Sequence, residues 1–329
     1  MDIYDIAREA GVSIATVSRV MNNSPHVSEN TRKKVDEVLR KYNYSPNAIA
    51  RGLVVKSMKT VGVITIDIRD IYYANVAYII EQEFSKLGYS VILSNTGGDT
   101  EEKIKYIKML SEKKVDGLIL VGSVFRDRKL DKFIADLSLS KPLVMVNGFF
   151  EEGNVYSIIC DDSYGITLCV DYLCSKGYKD IIYLQDAETY SGQSKSEGFK
   201  LGIVKNGLEL KPHSIIKVEK GLMGGYRAVE QIAASNQAFG AVISGEDITA
   251  VGAMKKLKEL GVRIPDDVAV TGFNNSIISQ CCDPELTTVD SKMETMGIGA
   301  VRILNDIFEG RNVSTKTVIT PELVIRKST

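Results

Sequence analysis

Two hydrophobic rhythms divide the chain near residue 60. Before it, apolar residues recur every three or four positions in short segments, the spacing of small amphipathic helices. Ile6, Ala7 and Ala10 share one face of a first helix, and Gly11 ends it where a tight turn needs a residue without a Cβ. Ser13 then caps a second helix, in which Val17 and Val20 turn an apolar side back onto the first. Its opposite side carries Ile14, Ala15, Ser18 and Arg19, short groups around one long cation. A third helix starts at Ser28 and buries Val35, Val38 and Leu39. Ser45 and Pro46 open a fourth short helix, residues 46–53, well started but below the roughly 12–15 residues an isolated helix needs. Gly52 weakens it further, which implies order gained on binding.

From Thr60 the texture changes to continuous apolar runs separated by amphipathic segments. Strands are expected at 61–66, 90–93, 118–121 and 143–147, alternating with helices at 72–87, 101–113 and 129–139. The rhythm resumes after Tyr156 with helices at 163–176, 194–205, 224–234 and 248–260. Strands at 181–184, 241–244 and 268–271 fall between them. Such a pattern implies parallel sheets covered on both faces, in two similar lobes, with ligands outside the strands' carboxyl ends.

Composition and charge narrow the function. The 329 residues suffice for two or three domains. The net charge of −1 hides a surplus of +3 in residues 1–56 against −4 in the remainder. A basic surplus on a helix-turn-helix suits phosphate contact, and its modest size calls for two copies in a tight complex. The start is a charged helix rather than an apolar leader, and no apolar run reaches membrane-spanning length, so a cytoplasmic chain without membrane partners is expected. The five cysteines lack zinc spacing and are expected to be inert thiols; with two histidines, His26 and His213, far apart in sequence, no histidine-rich metal site and no cofactor are expected. No Gly-x-Gly-x-x-Gly turn follows a strand, and neither a P-loop nor a Gly-x-Ser-x-Gly elbow occurs, so an enzyme is not expected.

The strings Val12-Ser13-Ile14-Ala15-Thr16-Val17-Ser18-Arg19-Val20 and Pro46-Asn47-Ala48-Ile49-Ala50-Arg51-Gly52-Leu53 resemble the headpiece and hinge of the LacI/GalR family of bacterial transcription regulators. The run Ala50-Arg51-Gly52-Leu53 is most similar to its catabolite-control type. The resemblance implies a helix-turn-helix headpiece (1–45), a hinge helix and linker (46–59), and a periplasmic-binding-protein-like core (60–329). Lobe 1 would comprise about 60–160 and 291–320, and lobe 2 about 161–290 and 321–329. It also implies a repressor, bound as a homodimer to a pseudo-palindromic double-stranded operator.

Ile14 and Ala15 are expected at base edges and Arg19 at a guanine or phosphate. Ser13, Thr16 and Asn23 would make backbone-positioning contacts, and Ser18 is a further expected DNA contact. By resemblance, Asn47, Ala50 and Leu53 contact the minor groove, where Leu53 wedges between base pairs. The ending Ile325-Arg326-Lys327-Ser328-Thr329 has no heptad segment, so dimers rather than tetramers are expected.

The expected effector site joins Tyr72, Tyr73, Ser123 and Asn147 of one lobe to Lys195, Asp247 and Asn274 of the other. Lys195 replaces a common arginine, Asn274 a common aspartate, and Lys220 stands where an aromatic is frequent in the family. Exchanging an acid for an amide while keeping cations favours an anionic ligand, within a sugar or sugar-phosphate class. The alternative regulator is a phosphorylated carrier protein acting as corepressor.

Overall fold

The computed structural model describes residues 2–21, 24–42, 57–151, 153–235 and 239–329. Asn23, Asn47, Ala50 and Leu53 lie outside the described residues. Met1–Lys59 and Thr60–Thr329 form separate compact units.

In the small unit, α1 (Ile3–Ala10), α2 (Ile14–Met21) and α3 (Glu29–Lys41) are started and stopped by local chemistry. Asp2 and Asp5 exchange side-chain and backbone hydrogen bonds in a capping box at the start of α1. Gly11 closes that helix at φ 66°, and its N–H returns to the carbonyls of Ala7 and Arg8. The Ser13 hydroxyl accepts the Thr16 N–H at 3.2 Å, and Ser28 does the same for Thr31. These helices are too short to persist alone. Ile6, Ala7, Val17, Val20 and Val35 form their shared core. Arg32 donates to the Ser24 carbonyl at 2.8 Å, fastening α3 to the chain beyond α2.

The large unit holds two six-stranded sheets. The first has the order β2-β1-β3-β4-β5-β11. Its strands are β1 (Thr60–Thr65), β2 (Ser90–Asn95), β3 (Gly117–Val121), β4 (Leu143–Val146), β5 (Val155–Cys160) and β11 (Lys316–Ile319), all parallel. The second has the order β7-β6-β8-β9-β10-β12. It contains β6 (Ile181–Gln185), β7 (Ile215–Lys217), β8 (Ala241–Ser244), β9 (Ala269–Phe273) and β10 (Thr287–Asp290), with β12 (Glu322–Val324) antiparallel at its edge. β3, β4, β8 and β9 are buried throughout, which is why they read as unbroken apolar runs.

Helices α4 (Ile71–Lys86), α5 (Thr100–Glu112), α6 (Arg128–Ser138) and α12 (Met293–Phe308) pack with the first sheet. The second carries α7 (Asp162–Ser175), α8 (Tyr190–Lys205), α9 (Leu222–Ala234), α10 (Asp247–Glu259) and the short α11 (Ile278–Cys281). The chain passes between the sheets after β5, after β10 and between β11 and β12.

Glycines set the closest helix pair. A Cβ on Gly225 of α9 would lie 1.8 Å from the Thr249 carbonyl oxygen in α10, and one on Gly252 of α10 would lie 1.9 Å from that of Leu222. Backbone therefore meets backbone where these helices cross. Among the described residues, no helix is long and apolar enough to cross a membrane.

Candidate functional sites: an exposed recognition helix and a cleft between two sheets

The turn after Gly11 leaves α2 with one buried side, Val17 and Val20, and one open side. Ile14 is 39% exposed, and Ser13, Ala15 and Arg19 are exposed around it. Ile14 is thus an apolar group left at the surface at the start of α2. Ser13 and Thr16 are joined hydroxyl to hydroxyl at 2.9 Å, so they hold the helix start. Ser18 is half-buried on the same element. Glu9 accepts from Lys41 at 2.7 Å and from the Tyr42 hydroxyl at 2.8 Å, which fixes the end of α3 against α1.

In the core, every expected effector residue follows the carboxyl end of a parallel strand or stands on the helix after it. Tyr72 and Tyr73 follow β1, Ser123 follows β3 and Asn147 follows β4. Lys195 lies on α8 after β6, Asp247 follows β8 and Asn274 follows β9. The two sets face each other across a cleft with two adjoining chambers.

The smaller chamber, about 110 Å³, brings together Tyr72, Tyr73, Ser123, Asn147, Lys195 and Asn274. The larger, about 530 Å³, is walled by Tyr72, Ile71, Ile248, Phe273 and Met293, with Asp247 and Asn274 among its polar lining. Tyr72, Lys220, Glu246 and Asn274 line both.

Local geometry explains how each side chain is held. Tyr72 and Tyr73 meet edge to face at 5.6 Å. Tyr73 is buried, its ring filling the space that a Cβ on Gly122 would need. The buried Tyr72 hydroxyl has no hydrogen-bond partner, and burial, followed by the nearby Asp162, pushes its pKa up. Asn147 and Asn274 sit at φ 55° and 96°, left-handed positions that asparagine tolerates where the chain leaves a strand. Lys195 donates to the Gly245 carbonyl at 2.8 Å and stands 4.0 Å over the Phe273 ring.

Asp247 is the expected contact that the protein itself already uses. Its carboxylate accepts from the Ser276 N–H at 2.6 Å, the Ser276 hydroxyl at 2.8 Å and the Thr288 hydroxyl. Burial still pushes its pKa up to about 6 against those hydrogen bonds. Its geometry suits bracing the loop around Ser276 more than reaching a ligand. Burial likewise raises the thiols of Cys160 and Cys169, which disfavours the reactive thiolate.

A matching pattern of residues is found in known proteins. Residues 2–47 match the family model for bacterial regulatory proteins, lacI family, and residues 170–329 match a periplasmic binding protein-like domain. An HTH-type transcriptional regulator of Lachnoclostridium phytofermentans is 37% identical, with 100% of this chain and 99% of that protein covered.

The chain belongs to the LacI family.

It is a DNA-binding transcriptional regulator with a helix-turn-helix headpiece and a two-lobed core. Catabolite control protein A of Priestia megaterium is 32% identical over 99% of this chain and 98% of its own. The Lac repressor dimer bound to operator and the anti-inducer ONPF matches with TM-score 0.89 and 26% identity. That match covers 100% of this chain and 98% of the other.

Several polar residues at or beneath the cleft lay outside the sequence expectation, among them Asp70, Thr189, Glu246 and Asp162. Asp70, Thr189 and Glu246 stand in the loops just before α4, α8 and α10, positions legible as helix starts but not as cleft lining. Asp162 is buried beneath the cleft, where Ser191 donates to one of its oxygens. Lys220 was visible only as a departure from the family's aromatic. Its ammonium lies 2.7 Å from Asp70 and 2.8 Å from Glu246.

Proposed function

We propose that this LacI-family regulator represses transcription in the cytoplasm as a homodimer on a pseudo-palindromic operator. A small hydroxylated metabolite, bound in the cleft and released unchanged, sets its affinity for DNA. The observation that carries the ligand half is the convergence of polar side chains from both sheets on one cleft, at the carboxyl ends of their strands. The exposed side of α2 supports the DNA half, and the small basic surplus of residues 1–56 favours two copies.

The cleft's charges favour a neutral member of the sugar class over its phosphate. Five carboxylates line the two chambers (Asp67, Asp70, Asp186, Glu246 and Asp247) against three cations, Arg69, Lys195 and Lys220. Each cation is already engaged: Arg69 by Asp67, Lys195 by Gly245, and Lys220 by Asp70 and Glu246. A phosphate would meet more carboxylates than cations there, and of the three cations only Lys195 is held by a neutral group instead of a carboxylate. Hydroxyl groups can donate to the carboxylates, and the wall of Tyr72, Ile248 and Phe273 suits the apolar face of a sugar ring.

Titration calorimetry of the full chain with neutral sugars and their phosphates tests this reading, repeated with Asn274→Ala and Lys195→Ala. Binding of a neutral sugar that weakens in both variants is expected. Preference for a phosphate, undiminished binding in the variants, or turnover of the ligand would overturn it.

A further inference from the structure

Lys220 sits between β7 and α9, immediately before Gly221, which takes φ 100°. Its ammonium meets two carboxylates from opposite sides of the cleft: Asp70 after β1 of the first sheet, and Glu246 after β8 of the second. The Tyr73 ring lies 5.5 Å from the same nitrogen. Two carboxylates and an aromatic face around one point make a cage for a cation.

We propose that this cage is a clasp across the cleft, filled by the chain's own Lys220, which holds the two lobes together at that point. The proposal rests on reading the cleft as the effector site and concerns how that site is regulated. Its physical basis is that Asp70 and Glu246 both lie within hydrogen-bond reach of one nitrogen. Without a cation there, two carboxylates would face each other in a half-buried space. Burial opposes the lysine charge, but Glu246 and Asp70 more than offset it and hold the ammonium above the usual lysine range.

Among the described residues, Lys220 is the cation that forms salt bridges with Asp70 and Glu246, and Lys195 acts on Glu246 only through its charge. Arg69 is turned to Asp67 instead, and Glu246 makes no side-chain cap with α10, so its carboxylate is left for Lys220. Asp70 divides its oxygens: Oδ1 accepts the Tyr72 N–H and caps α4, and Oδ2 faces Lys220. A second contact joins the two sheets' loops nearby, where the Ser123 hydroxyl donates to Thr189 Oγ1 at 2.9 Å.

Hydrogen exchange on the full chain, without ligand or DNA, tests the clasp. Lys220→Ala should speed exchange about tenfold in the loops at 67–73 and 245–249, with β3 and β4 unchanged as the sign that the core is still folded. Adding Asp70→Asn removes one of the facing charges while asparagine keeps the helix cap, and should restore protection. Lys220→Arg should exchange like the parent chain.

Unchanged exchange in Lys220→Ala would overturn the clasp. So would faster exchange that Asp70→Asn fails to reverse, because Lys220 would then act by packing rather than by charge. Loss of protection in β3 and β4 is resolved by the double variant, whose recovery supports the clasp and whose failure overturns it. Because no ligand is present, failure here leaves the effector reading intact; failure of calorimetry to find a cleft ligand would leave the contact between the lobes standing and remove its part in effector control.

Discussion

Ser123, after β3 of one sheet, donates its hydroxyl hydrogen to Thr189 Oγ1, after β6 of the other, across 2.9 Å. Thr189 also caps α8 through the Gly192 N–H, so the same oxygen serves the helix and the cleft. Ser123→Ala removes only the bond between the sheets. Thr189→Ala removes that bond and the cap, and should be the more destabilising by about 1 kcal/mol. Denaturant unfolding of both variants checks the order; equal losses would show that the cap contributes nothing.

The open side of α2 makes separate predictions for apolar and charged groups. Ile14→Ala should leave the unfolding midpoint nearly unchanged while weakening operator binding about tenfold. Arg19→Ala distinguishes two roles. A phosphate contact predicts a salt slope shallower by about 0.9, and a guanine contact predicts about 1–3 kcal/mol less discrimination at one base pair. Anisotropy titrations at several salt concentrations, on matched and altered duplexes, read both.

Gly225→Ala should destabilise the core by about 1–3 kcal/mol, because the new methyl would overlap the Thr249 carbonyl and backbone cannot rotate aside. Gly98→Ala is the control, since a Cβ there meets nothing within 4 Å. Thermal unfolding should separate them clearly; similar midpoints would mean that α9 and α10 can slide apart freely.

Asp247 gives a pH dependence. Its native carboxyl keeps its proton up to about pH 6, whereas the unfolded one releases it near 3.8, so the folded state binds more protons between those values. Its contribution to stability therefore falls as pH rises through that window, by at most about 1.4 kcal/mol per pH unit. Asp247→Asn should flatten the stability profile between pH 4 and 6, whatever it does to the absolute value. An unchanged slope in denaturant unfolding would contradict the assignment.

What the sequence disclosed follows from the range over which each signal acts. Gly11, Ser13 and Ser28 act within one helical turn, and the structure places the ends of α1, α2 and α3 where those residues require. Strands buried on both faces, such as β3 and β8, are apolar throughout and equally legible. β11 and β12 are short edge strands with alternating or exposed positions, and pairing distant in sequence chooses their sheets: Lys316 of β11 lies beside Ser157 of β5, and Glu322 of β12 beside Asp290 of β10. α8 begins at Tyr190 rather than 194, because the polar run Tyr190-Ser191-Gly192-Gln193 reads as loop until Thr189 caps it. The polar lining at Ser123, Asn147 and Asn274 was legible from strand ends. The union of Lys220, Asp70 and Glu246 was not, since it joins three loops that only the tertiary fold brings together.

The central claim, that two copies of this regulator read a two-fold symmetric operator, is tested most directly by the mass of the complex on DNA. The duplex would be selected by the full chain from a randomised pool, and its complex weighed by analytical ultracentrifugation. A selected pseudo-palindrome carrying two chains is expected, with affinity that collapses when either half-site is scrambled. A single chain bound to an asymmetric site, with the second half irrelevant to affinity, would contradict it.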